Sequence, residues 1–194
     1  MVAAKRLSSI IFWGPPGSGK TSIARLLADA VGLRYVALSA VFSGVADLKK
    51  VFAEARDAKA AGQATLLFVD EIHRFNRSQQ DAFLPVVEDG TVVLVGATTE
   101  NPSFELNAAL LSRSQLMILR RLDEAALRLL IERAEAMEGR PLPLDEEART
   151  ALVAMVDGDG RFLINQVETL WDAARSDELD TAAIAAPLHD PPPI

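Results

Sequence analysis

Near the N-terminus, Gly14-Pro15-Pro16-Gly17-Ser18-Gly19-Lys20-Thr21 places three glycines, an ammonium and a hydroxyl in the spacing G-x-x-x-x-G-K-[ST]. The segment follows the apolar run Ile10 to Trp13 and precedes a helical pattern, which is the context this spacing needs. Glycines let the backbone wrap an anion with its N–H groups inward, and the following helix offers its positive end. Lys20 is placed to reach the β and γ phosphates of ATP, and Thr21 to ligate Mg²⁺. The nucleotide-binding candidates therefore run from Gly14 through Ser22. The plainer alternative is a glycine-rich strand-to-helix turn.

A second run, Leu66-Leu67-Phe68-Val69-Asp70-Glu71, reads as a buried strand ending in two carboxylates about fifty residues after the glycine loop. Strand ends of a parallel sheet open onto the ligand crevice, so Asp70 is placed to hold the metal through its water shell. Glu71 then orients and polarises the attacking water. The alternative is that both acids cap the next helix. A third strand, Val92 to Ala97, ends in Thr98-Thr99-Glu100-Asn101, where one polar side chain could bond the γ-phosphate or the lytic water. Thr99 is the first choice and Asn101 the reserve, although such residues at strand ends often serve turns.

These residues need a sheet to hold them. Strands are expected at Ser9 to Trp13, Tyr35 to Ser39, Thr65 to Val69, Val92 to Thr98 and Gln115 to Leu119, alternating with helical patterns as in βαβ units. Leu48, Val51, Phe52 and Ala55 give one helix its apolar face. After Arg121 three helical patterns follow, Asp123 to Met137, Leu144 to Val156 and Arg161 to Ala174, broken by Pro141 and Pro143 and by Asp157-Gly158-Asp159-Gly160. The expected organisation is a nucleotide-binding domain at 1–121, a helical lid at 122–176 and a Pro-rich tail without order at 177–194, where four of the ten prolines fall in the last eight residues. ATP is expected in the crevice between the two domains.

Composition narrows the chemistry. The 194 residues contain no cysteine and only two histidines, His73 and His189, which excludes thiolate chemistry and a polyhistidine metal site. No apolar run approaches the ~18 residues of a membrane span. A net charge of −7 gives no basic coat for nucleic acid. Lacking cysteine and a signal-peptide core, the chain reads as cytoplasmic.

Several strings then become specific together: Trp13 to Gly17, Asp70-Glu71-Ile72-His73-Arg74-Phe75-Asn76, Gln79 to Ala82, Val87 to Gly90, and Gly96 to Glu105. Over roughly residues 10 to 175 the chain resembles the AAA+ ATPases of the RarA/MgsA family. These are the replication-associated recombination proteins, related to the Werner-helicase-interacting protein and more distantly to clamp loaders and the RuvB motor. The resemblance implies a P-loop, doubly wound, five-stranded parallel α/β sheet with a small helical lid. It makes Thr99 the sensor-1 residue and Arg113, in Leu110-Leu111-Ser112-Arg113, an arginine finger acting in a neighbour's site. Arg161, after Gly158-Asp159-Gly160, becomes sensor 2, contacting bound phosphate. His73 is left as a hydrogen-bonding or packing residue, since Glu71 has the base's role in the family pattern.

The implied function is Mg²⁺-dependent ATP hydrolysis driving an assembly at stalled or gapped replication forks. ATP, ADP and DNA are its partners, and the location is nucleoid-associated. Relatives carry an adenine-holding segment before the first strand and a helical region beyond the lid that assembles tetramers, so the full-length protein is expected to be a homo-oligomer. The alternatives are a clamp-loader or RuvB-like motor subunit, and a nucleotide-dependent interaction module with little turnover.

Overall fold

Ile10, Ile11 and Phe12 are all buried to within 1% of full enclosure, and their side chains go alternately to two different cores. That is the signature of a strand covered on both faces. The computed structural model describes residues 7–175, and the expected tail at 177–194 lies outside them. Five parallel strands, β1 (Ser9–Trp13), β2 (Arg34–Ser39), β3 (Thr65–Asp70), β4 (Val92–Thr98) and β5 (Ser114–Ile118), form one sheet in the order β2-β3-β4-β1-β5. The doubly wound parallel sheet expected from the sequence is therefore present.

On one face α1 (Lys20–Val31) sets Ala24 and Ala28 against Ile10, Phe12, Leu66 and Phe68. The other face is covered by α2 (Val45–Ala60), whose Leu48, Phe52 and Ala55 meet Ile11, Leu67, Val69 and Leu94. Short helices complete that layer: α3 (Arg77–Asp81), α4 (Phe83–Glu88), α5 (Pro102–Glu105) and α6 (Ala108–Ser112). Phe83 of α4 is fully buried with its ring edge-on to Phe52. Buried Gln80 ties this region together: its amide donates to the carbonyls of Phe75 and Glu105 and accepts from Asn107 N.

The described chain divides into two compact units. One comprises residues 7–14 and 19–119, the other 15–18 and 120–175. The second contains α7 (Glu124–Glu138), α8 (Glu146–Val156) and α9 (Gly160–Arg175) around Leu127, Ile131, Leu152, Leu163, Val167 and Trp171. An aspartate opens each helix: the side chains of Asp123, Asp145 and Asp159 accept from the amides of Ala126, Ala148 and Phe162. No helix among the described residues is long and apolar enough to cross a membrane.

Candidate active site

Register decides what lies together. Trp13, the last residue of β1, pairs with Thr98, the last of β4, and the next amide, Gly14 N, donates to the Thr98 carbonyl at 3.1 Å. On its other side β1 is closed off by Leu119 N donating to Trp13 O. A side chain at Gly14 would bring its Cβ within 2.4 Å of the Leu119 carbonyl oxygen, so the position requires glycine. The chain enters α1 at Gly19, and Lys20, only 8% exposed, donates from Nζ to the Gly14 carbonyl at 2.7 Å. Its ammonium is thus held against the base of the loop. Thr21 is half-buried and Ser22 exposed on the same first turn.

β3 lies on the far side of β4 and ends in Asp70, whose Oδ1 accepts from Glu71 N at 3.2 Å. The backbone then turns sharply, with Glu71 left-handed at φ 51°, ψ 44° at the head of a 3-10 turn, Ile72–Arg74. Ile72, fully buried, anchors that turn in the core. The Glu71 carboxylate meets two groups through one oxygen: Thr99 Oγ1 donates to Oε2 at 3.4 Å, and His73 Nδ1 lies 3.3 Å from the same atom. His73 Nδ1 is also 2.9 Å from Thr98 Oγ1, which accepts from Glu100 N.

The sheet therefore carries Gly14 and Lys20, Asp70 and Glu71, and Thr99 on three adjacent strands ending at one edge. The reserve candidate Asn101 uses its Oδ1 to cap α5, accepting from Ser103 N at 3.0 Å. Arg113 follows α6, paired with Glu88 at 2.6 Å and donating to the Ala109 carbonyl. Thr98 and the contact between His73 and Glu71 escape sequence reading. The available signal was position, since His73 is two residues from Glu71 and Thr98 adjoins Thr99 on the neighbouring strand.

In the second unit, the middle of the glycine loop is bonded to the head of α9. Gly160 N donates to the Gly17 carbonyl, and Ser18 Oγ donates to the Pro15 carbonyl. Gly17 has φ +67°, and a Cβ there would stand 1.9 Å from Asp159 Oδ1, which is itself occupied accepting from Arg161 N and Phe162 N. Exposed Arg161 thus opens a helix already tied to the loop.

The residues fit a nucleoside triphosphate and its cation. A buried ammonium stands at the loop's foot. The Thr21 hydroxyl and Asp70 carboxylate are hard oxygen donors of the kind Mg²⁺ takes. Among the described residues no group of three or more acidic or histidine side chains forms a metal cage. Two protein donors suit an ion that keeps waters and phosphate oxygens in its shell.

Residues 10–122 match the family model for the ATPase family associated with various cellular activities (AAA). Replication-associated recombination protein A of Coxiella burnetii is 51% identical over 174 residues, covering 87% of this chain and 39% of that protein. The protein of the same name from Escherichia coli K12 is 43% identical, covering 91% and 41%. ATPase WRNIP1 of Dictyostelium discoideum is 44% identical, covering 89% and 20%. The chain thus spans about two fifths or less of these relatives. Among solved structures, the Thermotoga maritima RuvB Holliday junction branch migration motor superposes with a TM-score of 0.74 at 25% identity, covering 95% of this chain and 63% of that one. With the Gly14–Thr21 loop, the acidic end of β3 and Thr99 beyond β4 assembled on a sheet of this topology, the chain belongs to the AAA ATPase family, in the group that includes replication-associated recombination protein A.

Proposed function

We propose that the chain hydrolyses ATP with Mg²⁺, and that turnover drives a cytoplasmic, nucleoid-associated assembly acting on DNA at stalled or gapped replication forks. The observation carrying the hydrolytic part is the grouping of Lys20, Asp70, Glu71 and Thr99 at the ends of adjacent strands β1, β3 and β4. The DNA part draws its support from the names of the relatives and from the RuvB likeness.

Bound Mg²⁺ would draw charge from the phosphate oxygens and hold them in line. Lys20 neutralises the phosphates from the foot of the loop. Thr21 and Asp70 are the residues that would hold the ion. Glu71 receives the Thr99 hydroxyl on Oε2, so Oε1, which has no hydrogen-bond partner among the described residues, is the oxygen that polarises the attacking water. A bound γ-phosphate would compete with Glu71 for the single hydrogen of the Thr99 hydroxyl, which is how Thr99 would sense it. Arg161 adds a cation beside the loop's middle, and Arg113 serves a neighbouring subunit.

Turnover measured with and without forked DNA tests the reading. Glu71→Gln should keep nucleotide binding and lose hydrolysis by about 10²-fold or more, the range for general-base contributions. Calorimetry showing no adenine-nucleotide uptake by folded wild type at millimolar concentration would overturn it.

A further inference from the structure

The hydrogen-bond pattern around His73 fixes where its proton must be. Thr98 Oγ1 accepts from Glu100 N at 3.0 Å and has one hydrogen of its own. Two acceptors lie within its reach, the Glu100 carbonyl at 3.2 Å and His73 Nδ1 at 2.9 Å. If Thr98 donated to a bare Nδ1, the nitrogen lone pair would face the Glu71 carboxylate at 3.3 Å, setting two acceptors against each other beside a ring whose side chain is only 8% exposed. With the hydrogen on Nδ1, Thr98 donates to Glu100, the imidazole N–H donates to Thr98 Oγ1 at 2.9 Å, and its positive end stands 3.3 Å from Glu71 Oε2, attracting that oxygen without a directed hydrogen bond. Each group then has a complementary partner.

We infer that His73 is a positioning residue, the Nδ1–H tautomer of which, braced by Thr98, clasps Glu71 Oε2 and leaves Oε1 to the water. The inference deepens the proposed hydrolysis and rests on Glu71 polarising the water. The left-handed backbone at Glu71 supplies the reason a clasp is needed. There the chain leaves β3 and turns, and a free side chain at the turn would sample several rotamers, whereas catalysis needs one. Thr99 gives its one hydroxyl hydrogen to the same oxygen, a hydrogen that bound phosphate would compete for. The His73 N–H, tied to Thr98, stands by that oxygen in a contact that the nucleotide does not contest.

Two measurements test this. The sequence holds only His73 and His189, so long-range ¹H–¹⁵N correlation spectra of the His189→Gln chain at pH 8 report the His73 tautomer alone. Nδ1–H is expected, and Nε2–H would overturn the clasp whether or not the chain hydrolyses ATP. In turnover assays His73→Leu should lower kcat about ten- to a hundredfold, the scale of losing a positioned group, with the nucleotide KM unchanged. His73→Asn sets an amide N–H where Nδ1 stood and should recover most of that loss. His73→Gln places its amide one bond farther out and should behave like the leucine variant. Equal kcat in the asparagine and leucine variants, both folded by thermal melting, would overturn the inference. Nucleotide uptake without wild-type turnover would instead remove the hydrolytic reading, and the tautomer would still decide the clasp.

Discussion

Glu71 occupies a backbone conformation that costs a residue bearing a Cβ roughly 1–2 kcal/mol. Strain of this kind persists where the surrounding structure over-determines it, as buried Ile72 does on one side and β3 on the other. Glu71→Gly and Glu71→Ala both delete the carboxylate and its contacts with Thr99 and His73, but only glycine relieves the backbone. The glycine variant should therefore exceed the alanine variant in stability by about 1 kcal/mol at equal loss of turnover, read from paired urea melts. Equal midpoints would mean that the turn stores no strain at Glu71. Of the loop's glycines, Gly17 and Gly19 have the left-handed backbone too, whereas Gly14 answers to crowding. At Gly14 the obstacle is the carbonyl of Leu119, whose amide is tied to the end of β1, so Gly14→Ala must shift either β1 or the chain after β5, and loss of nucleotide binding should accompany a lowered melting temperature.

Among the elements, α7 and α8 are joined by two arginines, Arg128, which reaches Glu146 and Thr150, and the more enclosed Arg149. Arg149 reaches Glu135 Oε1 together with the carbonyls of Leu142 and Leu144, while Leu142 N donates to the same carboxylate oxygen. Hydrogen bonding to Arg149 holds the Glu135 carboxyl below its usual range, against the opposing effect of burial and with help from the Leu142 amide. A carboxyl whose pKa is lower folded than unfolded stabilises the fold at pH above its unfolded value, about 4.3, and that contribution fades as pH falls through the folded value. Glu135→Gln should thus cost about 1.5–3 kcal/mol at pH 7, the range for a bond to a charged group, and should flatten the loss of stability on acidification below about pH 4. Thermal melts at pH 7 and pH 3.5 check both parts. An unchanged acid limb would show that other carboxylates control it.

Elements of this length were also the most legible in the sequence. β1 and β4 run over the residues expected, because each is a short apolar run bounded by loop residues. The helices α7, α8 and α9 start within two residues of their expected positions, each behind its aspartate cap. α3 to α6 escaped, since helices of four to six residues show no periodicity. Their sequence signals were the asparagines Asn76, Asn101 and Asn107, which cap α3, α5 and α6. Local pattern carries no strand order either; the order β2-β3-β4-β1-β5 is read from the structure. At the site, residue types and spacing picked out Lys20, Asp70 and Glu71. The contact from Thr99 to Glu71 spans 28 residues and exists only because β4 lies beside β3.

At the scale of the whole molecule, Arg113 is the residue whose proposed role needs a second copy. Within its own chain it is paired with Glu88, but the two side chains are 40% and 51% exposed, and such pairs contribute at most about 1 kcal/mol. Releasing the guanidinium therefore costs little beside the ~10³-fold or more that an arginine finger contributes to phosphoryl transfer. If the finger acts in trans, a working site draws Glu71 from one subunit and Arg113 from another. Glu71→Gln and Arg113→Ala chains should each be silent alone, yet a mixture regains activity wherever an Arg113→Ala subunit supplies the site and a Glu71→Gln subunit the finger. Random assembly with one donor per site makes that about a quarter of all sites, so mixing should recover up to about a quarter of wild-type turnover per subunit. An arginine acting in its own chain gives no recovery at any ratio. Turnover by a strictly monomeric chain, unchanged by Arg113→Ala, would remove the trans role altogether, and mass measurement with a non-hydrolysable ATP analogue establishes which assembly is being assayed.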